Sequence, residues 1–359
     1  MFIGAVIGLV VLVDIFLVVL YARAHTGILA RFLTYGLWRL LVRVSKLFGS
    51  RRQGFLTLSG PIILLSLLFS WGLLLSMAAA LIIHPGLGTG VRSTQGQTPT
   101  DFITALYVAG TSLSFVGASD FAPTNSAYRL FFLLTSMTGV TVVSLTVTYL
   151  MELYGSLRDR NAHGLKVHLM SAETGDAAEI LARLGPEGMF EEGYQILAEW
   201  ANQTAQVKET HGFYDMLFYF RFREAFYSVS RTALTSLDMI ALIKSALDEK
   251  EYGWLRNAAA VEQLGRGTML ELKELRTLAT FAAPEGDMDA PPDPQTRARW
   301  HRRFDAALER LEEAGVKTNK KGVEQYISLR TQWDRYIRVL APKFAYEMDE
   351  VDPALAEIK

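Results

Sequence analysis

The chain has 359 residues, more than a single domain usually contains, and half of them are hydrophobic, so we expect a few membrane spans and a soluble part. The net charge is +5 through Gly155 and −6 in the remainder, an asymmetry that argues against nucleic acid as a partner of the C-terminal half. The absence of cysteine excludes disulfides, thiolate metal sites and a cysteine nucleophile.

The first predicted element is a membrane span from Met1 to Tyr21, which only Asp14 interrupts. No positive charge precedes its apolar stretch, as it would in a signal peptide. A carboxylate in mid-span costs about 2.5–3.5 kcal/mol on insertion scales, so Asp14 is a candidate for function. The alternatives are protonation, or pairing with a hydroxyl or backbone group of a neighbouring helix.

Basic residues follow this span and include Arg23, Arg31, Arg39, Arg43, Lys46, Arg51 and Arg52. By the positive-inside rule this cluster is cytoplasmic, so the N-terminus faces outward. Within the cluster, residues 27–50 carry Leu and Phe at helical spacing with basic residues at other positions. This pattern predicts an amphipathic helix in the membrane interface, the alternative being a cytoplasmic helix packed on its own protein.

Two further spans are predicted, Phe55–Ile83 running outward and Ala127–Tyr154 running back, so that everything after about Ser156 is cytoplasmic. The third span contains five hydroxyl residues, which could line a wet cavity or join helices. They are Thr138, Thr141, Ser144, Thr146 and Thr148. Glu152 falls at its inner end, where it could form a ring of carboxylates at a pore mouth or be an ordinary helix-end charge.

The outward connection begins with a Gly/Ser/Thr/Gln-rich stretch, Gly86 to Thr100, which is typical of an exposed loop. Asp101 can then cap an apolar helix of about a dozen residues, a length that suits a re-entrant half-helix. The segment that follows, SFVGASD from Ser114 to Asp120, could form an ion filter whose backbone carbonyls face a cation, supported by the negative end of the helix dipole. The alternative is a partly ordered outer loop.

The stretch from Asp101 to Tyr154 resembles the pore domain of the two-transmembrane potassium-channel family. That family has an outer helix, a pore helix, a TVGYG filter followed by Asp, and an inner helix with a hinge glycine. The matching residues here are Ser114, Val116, Gly117, Asp120, Pro123, Arg129 and, as the gating hinge, Gly139. With the outer helix at Phe55–Ile83 the resemblance covers about 100 residues, and it implies conduction of cations.

Three residues differ from the filter sequence of this family. Phe115 stands where the family has the Thr whose hydroxyl completes the innermost ion site, and Ala118 stands where a Tyr ring braces the filter. Ser119 replaces a Gly at a position that resembles one needing unusual dihedral angles. The sequence therefore favours a cation pore over a potassium-selective one, and a pore that has lost conduction is the other possibility.

The C-terminal half is predicted to be helical near 175–185, 187–206, 212–249, 253–278, 296–315 and 322–341. Residues 284–296 form a Pro/Asp/Gly-rich linker between two of these segments. His163 and His168 have no third ligand in the pattern, and a Rossmann-like sensor would need βαβ alternation with GxGxxG, which the sequence does not contain. We expect an assembly or partner-docking module, with a cytoplasmic ligand or partner that the sequence does not identify.

The expected fold class is an all-α membrane protein with three transmembrane helices, a re-entrant pore helix and an all-helical cytoplasmic domain. The expected domains are 1–50 (first span and amphipathic helix), 51–155 (pore domain) and 156–359 (cytoplasmic domain). We expect a non-enzymatic homotetrameric channel in a bacterial inner (plasma) membrane, in contact with lipids, with no cofactor other than permeant K⁺ or Na⁺. The competing hypotheses are a non-conducting sensor or scaffold that reuses the channel fold, and a membrane-anchored enzyme.

Overall fold

The computed structural model describes residues 1–21, 27–114, 116–117, 120–279 and 291–353. The described chain packs as two units, the first made of Met1–Val44 and Ser59–Tyr154, the second of Ser45–Leu58 and Gly155–Lys359. Residues 51–58, which the sequence grouped with the pore domain, thus pack with the second unit. The first part of the predicted linker at 284–296 lies outside the described residues.

The first six helices are α1 (Phe2–Ile15), α2 (Ile28–Ser45), α3 (Arg52–Thr57), α4 (Ser59–Ile83), α5 (Phe102–Leu113) and α6 (Ser126–Met170). A π-helical turn extends α1 to Leu20, and a 3₁₀ turn extends α4 to Gly86. Among the described residues, three helices are apolar and long enough to cross a membrane: Phe2–Leu20, Ser59–Gly86 and Ser126–Met170. The predicted all-α membrane class is therefore confirmed.

Helix α1 packs closely on α4 through two glycines one turn apart. A Cβ atom on Gly4 would lie 2.5 Å from the carbonyl oxygen of Ala78, and one on Gly8 would lie 3.6 Å from the Ala78 methyl group. Small residues spaced by four allow the backbones of two apolar helices to approach in lipid, where no hydrophobic force drives them together. The first span is thus an integral part of the first unit.

Helix α2 has one buried side, formed by Ala30, Thr34 and Trp38, whereas Phe32 and Leu40 are exposed. Arg31, Arg39 and Arg43 are exposed as well. The helix therefore packs on protein along one side and presents a mixed basic and apolar surface on the other. Its location in the membrane interface stays a prediction.

The only regular strands in the described chain are β1 (Val91–Ser93) and β2 (Phe121–Pro123), which pair antiparallel with Arg92 opposite Ala122. Tyr128 lies across this outer segment. A Cβ atom on Gly90 would come within 2.3 Å of its ring, and one on Gly86 within 2.2 Å of its hydroxyl oxygen. Because Val91 is fully buried, the interpretation of residues 86–100 as an exposed loop is wrong for their first part.

The second unit continues with α7 (Ala177–Leu184), α8 (Glu191–Phe213), α9 (Val229–Ser245), α10 (Glu249–Arg256), α11 (Ala259–Ala279), α12 (Pro294–Glu313), α13 (Val323–Thr331), α14 (Asp334–Lys343) and α15 (Met348–Val351). Its centre is α9, of which 14 of 17 residues are buried. A helix buried on all sides is a core helix, and α7, α8, α11, α12 and α13 contribute to the hydrophobic cluster around it.

The predicted single helix at 212–249 is wrong, because α8 ends at Phe213 and α9 begins only at Val229. Two carbonyl groups of the intervening segment, those of Leu217 and Phe220, accept hydrogen bonds from the Arg160 guanidinium at 2.9 Å each. The guanidinium thus binds backbone groups of a segment that is not α-helical, in which the Leu217 carbonyl oxygen also accepts the N–H of Phe220 at 3.2 Å. The Ser228 hydroxyl then caps α9 by accepting the N–H of Arg231.

Candidate functional site

Helix α5 begins at a well-formed cap. Asp101 accepts the backbone N–H of Thr104 at 2.9 Å and its hydroxyl at 2.7 Å, which confirms the predicted N-cap. Further along the helix, Ala105 and Val108 are fully buried, in one cluster with residues of α4. Capping and burial together fix the start and the direction of this twelve-residue helix.

The chain turns back on itself at the end of α5. The N–H of Gly117 donates to the carbonyl oxygen of Thr111 at 3.0 Å, and Gly117 has a φ of +68°. This left-handed conformation itself favours glycine, and among the described residues no atom beyond the chain neighbours lies within 4 Å of the position of a Cβ there. Ser114, Val116 and Gly117 are exposed. Phe115, Ala118 and Ser119 of the predicted filter lie outside the described residues.

The far end of this segment is held at Asp120. The Tyr107 hydroxyl, from the middle of α5, donates to Asp120 Oδ1 at 3.3 Å. On the other side, the N–H of Thr94 donates to the carbonyl oxygen of Asp120 at 2.8 Å, next to the β1–β2 ribbon. The segment Ser114–Asp120 therefore has both ends fixed to α5. The role of Tyr107 was not predicted, because no local pattern marks a contact between residues 13 positions apart.

Gly139 of α6 lies directly against the end of α5. A Cβ atom at this position would lie 1.9 Å from the carbonyl oxygen of Leu113 and 2.8 Å from its carbonyl carbon. Only glycine allows this approach. Gly139, which the sequence predicts as a gating hinge, is thus also the point where α6 contacts Leu113, the residue before the candidate filter. Its role as a hinge stays a prediction.

Another side of α6 carries the polar groups noted in the sequence. The hydroxyls of Thr138, Thr141 and Thr148 donate to the carbonyl oxygens four residues earlier, at 2.8, 2.9 and 3.1 Å. Glu152 is exposed one turn beyond Thr148. Since helical residues three or four apart share a face, these four residues form one polar stripe. Within the described ranges, no three His, Asp or Glu side chains could together hold a metal ion.

Asp14 is a buried acceptor at the meeting point of three helices. Its side chain is 3 % exposed and accepts the N–H groups of Leu29 at 2.8 Å and Ala30 at 3.1 Å, at the start of α2. It also accepts the indole N–H of Trp71 from α4 at 2.9 Å. Of the alternatives weighed from the sequence, the structure favours pairing, and the partners are backbone groups and an indole rather than hydroxyls.

Comparison with known proteins agrees with this geometry. Residues 63–155 match a protein family described as ion channel, and this confirms the resemblance of α4, α5 and the first part of α6 to a channel pore. The chain is also 20 % identical over 266 residues to the uncharacterized membrane protein YdjJ of Bacillus subtilis (strain 168), which covers 74 % of this chain and 72 % of that protein. That alignment is far longer than the channel segment, so the similarity extends beyond it. No solved structure gives a significant match.

Proposed function

We propose that the protein conducts monovalent cations, K⁺ or Na⁺, passively through a central pore. The observation that carries the proposal is the segment Ser114–Asp120, which follows a short capped helix, turns at a left-handed glycine and is fixed at its far end by Tyr107. A segment held at both ends in this way can present backbone carbonyls to an ion. The negative end of the α5 dipole points toward the same segment and favours a cation.

A pore of this type needs four such segments, and each chain supplies one, so we propose a homotetramer with four-fold symmetry. In such an assembly the polar stripe Thr138–Thr141–Thr148 of α6 faces the water-filled cavity, and Glu152 forms a ring of carboxylates at its inner mouth. Hydroxyls bonded to their own helix backbone are compatible with either water or lipid, so the stripe supports this arrangement without requiring it.

We further propose that the N-terminus lies outside a bacterial inner membrane and the second unit lies in the cytoplasm, where it assembles or gates the pore. The basic residues between α1 and α4 support this orientation. The protein is proposed to be an ion channel and not an enzyme.

Ion flux through the purified protein in liposomes tests the proposal. We expect movement of K⁺ or Na⁺ down its gradient, at a rate that scales with the amount of protein. Absence of flux for every monovalent cation would refute the channel and favour the alternative, a non-conducting sensor or scaffold. This alternative is supported by the sequence of the candidate filter, which departs from that of the potassium-channel family at Phe115, Ala118 and Ser119.

A filter replacement tests where the ions pass. Changing residues 115–119 to TVGYG should raise the preference for K⁺ over Na⁺, because selectivity depends on the number and field of the coordinating carbonyls. A Gln95→Ala/Gln97→Ala variant in the exposed outer turn serves as a control and should leave the preference unchanged. A conducting replacement variant with unaltered preference would place the filter elsewhere.

A further inference from the structure

The segment between α2 and α4, residues 45–58, is the part of the chain on which this inference rests, and we call it the linker. It packs with the second unit, and its Leu56 is fully buried. The rings of Phe48 and Phe55 stack at 4.6 Å between centroids. Because Leu58 is followed directly by Ser59, the first residue of α4, whatever holds the linker also holds the start of the outer helix.

Two side chains of the linker bond to the last described helix of the chain. Arg52 Nη1 donates to Glu347 Oε1 at 3.1 Å, and the Gln53 amide donates to Glu350 Oε1 at 2.7 Å. These partners are 295 and 297 residues apart in sequence, so the contacts are tertiary and specific to this fold. Both acceptors are carboxylates, which makes the hydrogen bonds charge-assisted.

The segment that supplies these carboxylates is itself fixed. Glu350 Oε2 accepts the N–H of Glu347 at 2.8 Å in a capping box around α15, and the Glu350 carbonyl oxygen accepts from Arg231 at 3.3 Å. Two residues later, buried Asp352 pairs with Arg303 at 2.7 Å and with Arg330 at 3.5 Å.

Both guanidiniums also contact Asp238 on the central helix α9, at 2.8 Å from Arg303 and 2.6 Å from Arg330. Residues 347–352 thus connect the linker to the core of the second unit through ionic contacts.

We propose that residues 347–352 act as a strap that holds the linker on the second unit and thereby sets the position of the outer helix, with Glu347 and Glu350 as its positioning residues. The inference rests on the proposed channel function. The second unit is covalently continuous with both pore-forming helices, with α4 through Leu58 and with α6 through Gly155. A rearrangement of the second unit that tightens or breaks the contacts of the strap with the linker is therefore transmitted to the pore.

The exposure of the contacts suits a reversible strap. The Glu347 side chain is 63 % exposed and Arg52 is 28 % exposed, and ion pairs of this kind are individually weak. The Asp352 end, in contrast, is buried among charged partners and is costly to break. The strap therefore opens at the linker and stays attached at the core.

A charge exchange tests the strap in the full-length protein. Glu347→Arg and Arg52→Glu each place like charges side by side, whereas the double variant Arg52→Glu/Glu347→Arg restores an opposite pair. Asp349→Arg makes the same charge change in the same turn and is the matched control, since its carboxylate accepts the N–H of Glu350 within α15. The readout is hydrogen–deuterium exchange of peptides covering residues 45–58.

We expect linker exchange to accelerate by about 1.5- to 5-fold in each single variant, the range that corresponds to loss of a surface ion pair, and to return in the double variant. Potassium flux in liposomes should change in the single variants and recover in the double variant. Unchanged linker exchange in Glu347→Arg overturns the strap, whether or not the protein conducts. Accelerated exchange with unaltered flux in a conducting protein overturns the coupling to the pore. A wild-type protein without flux refutes the channel function separately.

Discussion

Replacement of Gly139 by Ala tests the contact between the inner helix and the end of the pore helix. The new methyl carbon would lie 1.9 Å from the carbonyl oxygen of Leu113. Because non-bonded atoms rest at about 3.5 Å, one of the two helices must move by about 1.6 Å. Overpacking of this kind typically costs about 1–3 kcal/mol of folding free energy, against a gain of about 0.8–1 kcal/mol from the higher helix propensity of Ala.

The assay is thermal unfolding of the detergent-purified protein, combined with ion flux in liposomes. Gly155→Ala on the same helix is the matched control, because among the described residues no atom outside its own helix backbone and chain neighbours lies within 4 Å of its Cβ position. We expect Gly155→Ala to be neutral or stabilising and Gly139→Ala to unfold at a lower temperature. Flux should also change in Gly139→Ala, since the displaced Leu113 directly precedes the segment Ser114–Asp120.

A Gly139→Ala protein as stable as Gly155→Ala would refute the packing argument. A change in gating with unaltered stability would instead support the hinge predicted from the sequence, because a hinge needs flexibility rather than close approach. The two roles of Gly139 can thus be separated by one pair of variants.

Three further predictions concern single side chains. Tyr107→Phe removes the hydrogen bond to Asp120, so we expect the free energy of unfolding to fall by about 0.5–1.5 kcal/mol. We also expect an altered K⁺/Na⁺ permeability ratio in the flux assay. An unchanged ratio would show that this hydrogen bond does not shape the filter. Asp14→Ala leaves the N–H groups of Leu29, Ala30 and Trp71 without their acceptor, which should lower the free energy of unfolding by about 1–3 kcal/mol for each group. Asp14→Asn keeps one acceptor oxygen and should therefore destabilise the protein less in the same melting assay. Equal destabilisation by the two variants would contradict the acceptor role. Burial alone would raise the pKa of Asp352, but Arg303 and Arg330 hold this pKa below its ordinary value. The contribution of Asp352 to stability is therefore fully present above about pH 3.9 and is lost as the pH falls through the lowered pKa. Asp352→Asn should therefore lower the free energy of unfolding by about 1.5–3 kcal/mol at pH 7, with Asp238 still compensating both guanidiniums. In a series of melting curves from pH 7 to 3, its melting temperature should fall less steeply with pH than that of the wild type, with Asp349→Asn as the control. An equally steep fall in Asp352→Asn would exclude a contribution of Asp352 to the acid dependence of stability.

Features encoded locally could be predicted from the sequence. The three long apolar helices follow from hydropathy over about 20 residues, and α5 follows from the cap at Asp101 and the short apolar run after it. The match of residues 63–155 to an ion-channel family agrees with the resemblance drawn from Val116, Gly117, Asp120 and the helices around them.

Features that depend on distant partners could not be predicted. The acceptor role of Asp14 involves Trp71, 57 residues away, and the break between α8 and α9 depends on Arg160, which lies 57 and 60 residues from the carbonyl groups it binds. The segment 214–228 is rich in aromatic residues and has no proline or glycine, so its composition alone favours continuation of the helix. The contacts of Arg52 and Gln53 with the end of the chain are even more remote in sequence.

The bond between Asp14 and Trp71 has a consequence for how the spans recognise one another. Helix α1 is apolar on all sides, with a mean hydropathy of 3.0 over Phe2–Leu20, so dispersion forces alone distinguish poorly between the rotations and neighbours available to it in lipid. One acidic side chain with three fixed donors removes that ambiguity, because a wrong rotation or neighbour leaves its polar oxygens without partners in hydrocarbon. Asp14 therefore specifies the register and rotation of the first span, as a single polar residue specifies the register of an otherwise apolar coiled coil.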